Sequence, residues 1–134
     1  MTTQPAQSAA PPTPTIVDHA GVEQLPWAPL EGSDGVLYKL IWRSGKSVTG
    51  LMHVPAGREM STHTHRRSEH HVWVLWGSAE MMGHRVGPGS YVHVPPGVEH
   101  GIGGVGPEGC TVLYMFLRGG DTDGRSRAPG DEEQ

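Results

Sequence analysis

The chain has one cysteine, Cys110, among 134 residues, so no internal disulfide can form and a reducing compartment is the natural setting. It has no apolar run of membrane-spanning length, and its first residues lack a basic stretch followed by an apolar core. The cytoplasm is therefore the expected location, with no membrane as partner. Basic charge is also scarce: a net charge of −4 leaves no electrostatic footprint for nucleic acid. Phenylalanine occurs once, and hydrophobic residues make up only 35% of the chain. Length and composition allow one domain with a core of its own, not two.

In place of these the sequence has 20 glycines, 12 prolines and nine histidines. So many turn formers predict short extended segments rather than long elements. Val36–Trp42, Val48–Val54, His71–Trp76, Ala79–Val86, Tyr91–Val94 and the run after Cys110 read as strands, and no amphipathic helical run of useful length appears. Strands at such spacing predict an all-β sandwich or barrel. Residues 1–24 are rich in Pro, Ala, Thr and Ser and read as a disordered or partner-crossing tail. Residues 25–118 form the expected domain, and the polar, Gly-rich residues 119–134 a second disordered tail.

The histidines concentrate where the chain's chemistry must lie. Gly57 to Gly77 reads GREMSTHTHRRSEHHVWVLWG and holds four of them within nine residues. His63 and His65 are two apart, so an extended backbone points both imidazoles to one face. His70 or His71 follows after Arg66-Arg67-Ser68-Glu69, which reads as a bulge or tight bend. Downstream, GSYVHVPPGVEH places His100 just after a rigid Pro-Pro-Gly turn.

These two stretches resemble the paired motifs of the cupin superfamily. Gly57, His63, His65 and Gly77 fit the first motif, while His70 stands where the family usually has glutamate and Glu69 comes one position early. Gly89, Pro95, Gly97 and His100 fit the second, with Gly104 in place of its asparagine. The resemblance covers roughly residues 35–118 and implies a small jelly-roll barrel, a double-stranded β-helix with its site inside. Two motifs in order with these spacings point to a metal site of His63, His65, His70 and His100. Strand alternation groups His70 with Val72 and Val74 on one face. A bend that breaks alternation would instead hand the third position to Glu69.

An all-imidazole set does not name its metal: zinc is expected, and iron, manganese and nickel remain open. Such a neutral set leaves the cation its full charge, which suits carbonyl polarisation. It also looks like that of cupin-type polyketide cyclases, which implies cyclisation and aromatisation of a polyketide by aldol chemistry. A non-haem iron dioxygenase cleaving a diketone or phenolic ketone is the alternative, and a non-catalytic metal- or ligand-sensing cupin module is the third reading. Glu69, His84 and His93 are the candidate catalytic groups; His19, His53 and His71 read as surface or satisfied core residues. Arg58, Arg66 and Arg67 read as a solvated loop, and Cys110 as a small buried hydrophobe. Trp73, Trp76, Met81, Met82, Tyr91, Met115 and Phe116 read mostly as core, with inward-facing members making a dry pocket for a small organic substrate. Cupins commonly cover open sheet edges by pairing, so a homodimer is expected, with Trp27 and Val36–Trp42 as its buried surface.

Overall fold

The computed structural model describes residues 11–118. A short helix, α1 (His19–Gln24), precedes ten strands: β1 (Ala28–Pro29), β2 (Leu37–Ser44), β3 (Ser47–Val54), β4 (Met60–His63), β5 (Ser68–Gly77), β6 (Ala79–Met81), β7 (His84–Val86), β8 (Tyr91–Val94), β9 (His100–Ile102) and β10 (Cys110–Arg118). No described helix is long and apolar enough to cross a membrane.

Six strands make one antiparallel sheet in the order β1-β2-β3-β10-β5-β8. The pair β4-β9 and the hairpin β6-β7 make the smaller layer, and a bridge between Glu80 and Gly103 ties that hairpin towards β9. This is the small jelly roll that the two motifs imply. Alternation carries its core: Met52 and Val54 on β3, Val74 on β5, and Cys110, Val112 and Tyr114 on β10 are buried with Met81, Val86 and Ile102 from the smaller layer. Each fully buried valine contributes about 1.5–3 kcal/mol over leaving it in water. Val36, Val54 and Val74 are all in that state.

Three local features depart from the reading of the sequence. Residues 19–24, assigned to the tail, form α1, because the Asp18 carboxylate accepts a hydrogen bond from Gly21 N at 2.8 Å and caps the turn. Six residues are too few to show a periodic apolar stripe. The segment Ala79–Val86 is two strands rather than one, folded back at Met82 and Gly83, whose φ values are 49° and 82°. The extended segment expected to hold both His63 and His65 is strand only as far as His63, at the end of β4, and His100 opens a short strand, β9, that was not among the expected ones. The expected tails at residues 1–10 and 119–134 lie outside the described residues.

Two glycines fix the shape around the site. Gly77 ends β5 at φ 77°, and a Cβ there would run into the carbonyl of Gly109. Gly97, at φ 84°, completes the turn begun by Pro95 and Pro96. Its N–H donates to the carbonyl of His65 at 2.8 Å, so the second motif is tied directly to the first.

Candidate metal centre

His63 is the last residue of β4 and His100 the first of β9, and the two are register partners. Their rings lie 4.4 Å apart. His65 follows β4 and is buried, held by the Gly97 contact, with its ring 4.7 Å from His63 and 5.2 Å from His100. One nitrogen from each of His63, His65 and His100 falls within 4.8 Å of the others. His70 enters from the opposite sheet on β5, its ring 4.1 Å from His65 and 4.7 Å from His100. The four imidazoles converge between the two layers.

Hydrogen bonds select the tautomers. His63 Nδ1 lies 2.7 Å from the carbonyl of Ser61, and His100 Nδ1 lies 2.9 Å from that of Val98. A carbonyl only accepts, so both Nδ1 atoms carry a proton, which makes Nε2 the nitrogen of each ring that would face a metal. That is the state of a metal-binding imidazole whose second nitrogen is anchored. His70 is 4% exposed and stacks on Phe116 with ring centroids 3.8 Å apart, and its Nε2 is buried with no hydrogen-bond partner. Burial, reinforced by the neighbouring histidines, pushes its pKa down to about 2. The ring is therefore neutral at any working pH.

A buried polar atom without a partner costs about 1–3 kcal/mol. A cation held by His70 and the three neighbouring imidazoles would satisfy it, so the donor set fits a divalent metal that accepts nitrogen ligands.

The site opens on a cavity of about 920 Å³ that His63, His70 and His100 reach from one side. Met52, Met60, Met81, Val72, Ile102 and Phe116 give it a largely apolar wall, while Glu31, Asp34, Arg58 and Glu59 lie towards its mouth. Arg58 is engaged with Asp34 at 2.7 Å. Tyr114 also lines the cavity, and burial holds its phenol protonated by pushing its pKa up to about 12.

The other residues singled out in the sequence lie elsewhere. Alternation along β5 holds through Glu69, His70 and His71, so Glu69 points to the outer face of the large sheet. There its carboxylate meets His71 at 3.0 Å and His93 at 3.4 Å. His84 is exposed at the start of β7. None of Glu69, His84 and His93 belongs to the cavity wall. His71, read as a bystander, is part of the outer cluster, and His53 bonds Thr111 Oγ1 at 2.8 Å. Trp73, Trp76 and Tyr91, read mostly as core, are about half exposed on that same side. Cys110 is fully buried and its thiol pKa is raised by burial.

Glu59 and Tyr114 were missed as wall residues. Glu59 sits only four residues before His63, but nothing local shows that it turns towards the cavity. Tyr114 becomes a wall residue only through the pairing of β10 with β3 and β5.

A family model described as the ChrR cupin-like domain matches residues 17–118. No curated protein matches the sequence. Among solved structures, an RmlC-like cupin from Shewanella frigidimarina superposes with a TM-score of 0.61 at 23% identity, covering 70% of this chain and 84% of that one. A predicted oxalate decarboxylase from Thermotoga maritima gives 0.67 at 16% identity, covering 78% and 99%. The complex of Rhodobacter sphaeroides SigE with the anti-sigma ChrR gives 0.58 at 25% identity, covering 69% of this chain and 50% of the matched one.

Proposed function

The chain belongs to the ChrR cupin-like family, and from that premise we propose that it is a metal-dependent cupin enzyme acting on a small organic carbonyl compound. His63, His65, His70 and His100 would hold one divalent metal, zinc in the first instance. The observation that carries this reading is the convergence of four imidazoles, among them the neutral His70 with its buried unsatisfied Nε2, on a largely apolar cavity. When bound, such a metal supplies a Lewis acid for polarising a carbonyl without consuming a proton. The chain's own residues do the rest. The methionines and Phe116 receive a flat apolar body and exclude water from it. The protonated Tyr114 hydroxyl donates a hydrogen bond to a substrate oxygen. Glu59, exposed and among the residues lining the cavity, takes the part of general base.

Cyclisation and aromatisation of a polyketide is the narrowest form of this proposal. It needs a Lewis acid, a base and a shaped apolar wall; a metal on the four histidines would supply the first, Glu59 the second, and the methionines with Phe116 the third. Metal analysis combined with oxygen uptake is the test. Zinc with turnover of a β-ketone compound and no oxygen consumed supports it; bound iron with oxygen consumed in turnover replaces it by dioxygenase chemistry.

One observation favours a second reading, a metal- or ligand-sensing module. The matching family is described by ChrR, and the anti-sigma ChrR is a similar solved structure at 25% identity. Metal and carbonyl ligands that bind without any turnover would decide for sensing. The homodimer is likewise proposed, with Trp27 and Val36–Trp42 as its surface, and light scattering near 14.4 kDa would contradict it.

A further inference from the structure

On the reverse side of the sheet from the histidine-lined cavity lies a second cluster of metal-ligating groups. β5 and β8 pair so that His71 stands directly opposite His93, and Trp73 opposite Tyr91. Side chains opposite each other on neighbouring strands hold their Cβ atoms about 5 Å apart. Glu69 lies two residues before His71 and so shares its face. Its Oε1 is 3.0 Å from His71 Nε2 and 3.4 Å from His93 Nε2, and one donor atom from each residue falls within 4.8 Å of the others. The two imidazoles are stacked at 4.9 Å with 29° between their planes, so they lie side by side beneath one oxygen.

We propose that Glu69, His71 and His93 form a second metal site on the outer face, taking a borderline divalent cation such as Zn²⁺ or Cu²⁺. Ligand atoms about 2.0–2.1 Å from a tetrahedral ion lie about 3.3 Å from one another. Two of the three separations here are already close to that value, and the third, between the two imidazoles, is within 4.8 Å. Two imidazoles and a carboxylate are a donor set suited to zinc and copper and a poor one for calcium or magnesium, which favour all-oxygen shells.

His71 also has an anchor. Its Nδ1 contacts the Tyr91 hydroxyl, and Tyr91 sits on β8 two residues before His93. In the metal-free chain His71 Nε2–H donates to the Glu69 carboxylate; a metal would replace that proton, with Nδ1–H then donating to the Tyr91 hydroxyl and holding the ring in the orientation of a ligating imidazole. The Glu69 and His93 side chains are 42% and 41% exposed. Cation entry therefore needs no opening of the barrel, and a fourth position faces solvent.

β8 is an edge strand of its sheet, so an ion bridging β5 to β8 would also clamp that edge. The site is independent of the inner one: it uses the residues on either side of His70, which face the other way.

The test is a Zn²⁺ titration of the full chain by calorimetry, after chelator treatment and removal of the chelator. The proposal expects the wild-type chain to bind one equivalent more than His93→Ala. Glu69→Gln, which keeps shape and removes charge, should weaken that extra equivalent at least tenfold. In a His63→Ala, His100→Ala chain, one equivalent should persist and disappear on adding His93→Ala. Equal stoichiometry and affinity in wild type, His93→Ala and Glu69→Gln would overturn the site and leave Glu69 as a carboxylate hydrogen-bonded to two histidines. A failed inner site would lower both members of the wild-type and His93→Ala comparison equally, so the two proposals fail separately.

Discussion

His70 shows how much one residue's direction decides. It is flanked on β5 by Glu69 and His71, yet it faces the cavity while both neighbours face the opposite side of the sheet. His70→Ala should therefore remove most of the inner metal affinity, while Glu69→Gln should leave that affinity intact. Metal content after gel filtration reads both variants, measured in a His93→Ala background that disables the outer cluster. His70 also sets a pH dependence. Its folded-state pKa of about 2 lies below the 6.5 of an ordinary imidazole, so between those values the unfolded chain binds a proton that the folded chain refuses. In the metal-free protein this contribution to stability is complete above about pH 6.5. It is lost progressively as the pH falls towards the folded pKa. Urea midpoints measured from pH 7 to pH 4 should fall, and fall less in His70→Ala. A flat profile shared by both proteins would contradict the burial of a neutral ring.

The strands and turns show which parts of the structure could be read from the chain. The two histidine motifs, the Pro-Pro-Gly turn and strands such as Tyr91–Val94 are local patterns, so they were legible. The choice between His70 and Glu69 was legible only if alternation survived the Arg66–Arg67 bend. It does, because β5 begins at Ser68, beyond the bend. The outer cluster was hidden because it depends on the register of β5 against β8, which no local pattern states. Helix α1 was hidden for another reason: tertiary contacts hold it. The buried Lys39 ammonium donates to the Val22 carbonyl at 2.9 Å and lies 4.8 Å from the centre of the Trp27 ring. Lys39→Met keeps the stem and removes both contacts, worth about 1–3 kcal/mol together. Amide exchange in residues 19–25 should then speed up while that of β10 stays slow. Unchanged exchange would mean that the helix is held by something else. Gly77→Ala should cost at least about 1–3 kcal/mol through its positive φ, with the clash against Gly109 adding to that, and a thermal midpoint near wild type would contradict it.

At the scale of the whole molecule, the jelly roll buries its apolar core in the same space that presents the histidines. Val74, Ala79 and Cys110 are fully buried members of one apolar cluster. The account therefore separates folding from metal binding: loss of a ligand should empty the site and spare the fold. Val74→Ala, by contrast, should destabilise by about 2 kcal/mol through the cavity it leaves, with metal stoichiometry unchanged. The most direct measurement uses the His93→Ala chain, in which the outer cluster is disabled and only the inner site can count. Zinc content per chain, with far-UV circular dichroism on the same samples, should be one equivalent in that background. Adding His63→Ala or His100→Ala should bring it to near zero with the β spectrum retained. A full equivalent surviving either change, or a fold lost together with the metal, would contradict the account.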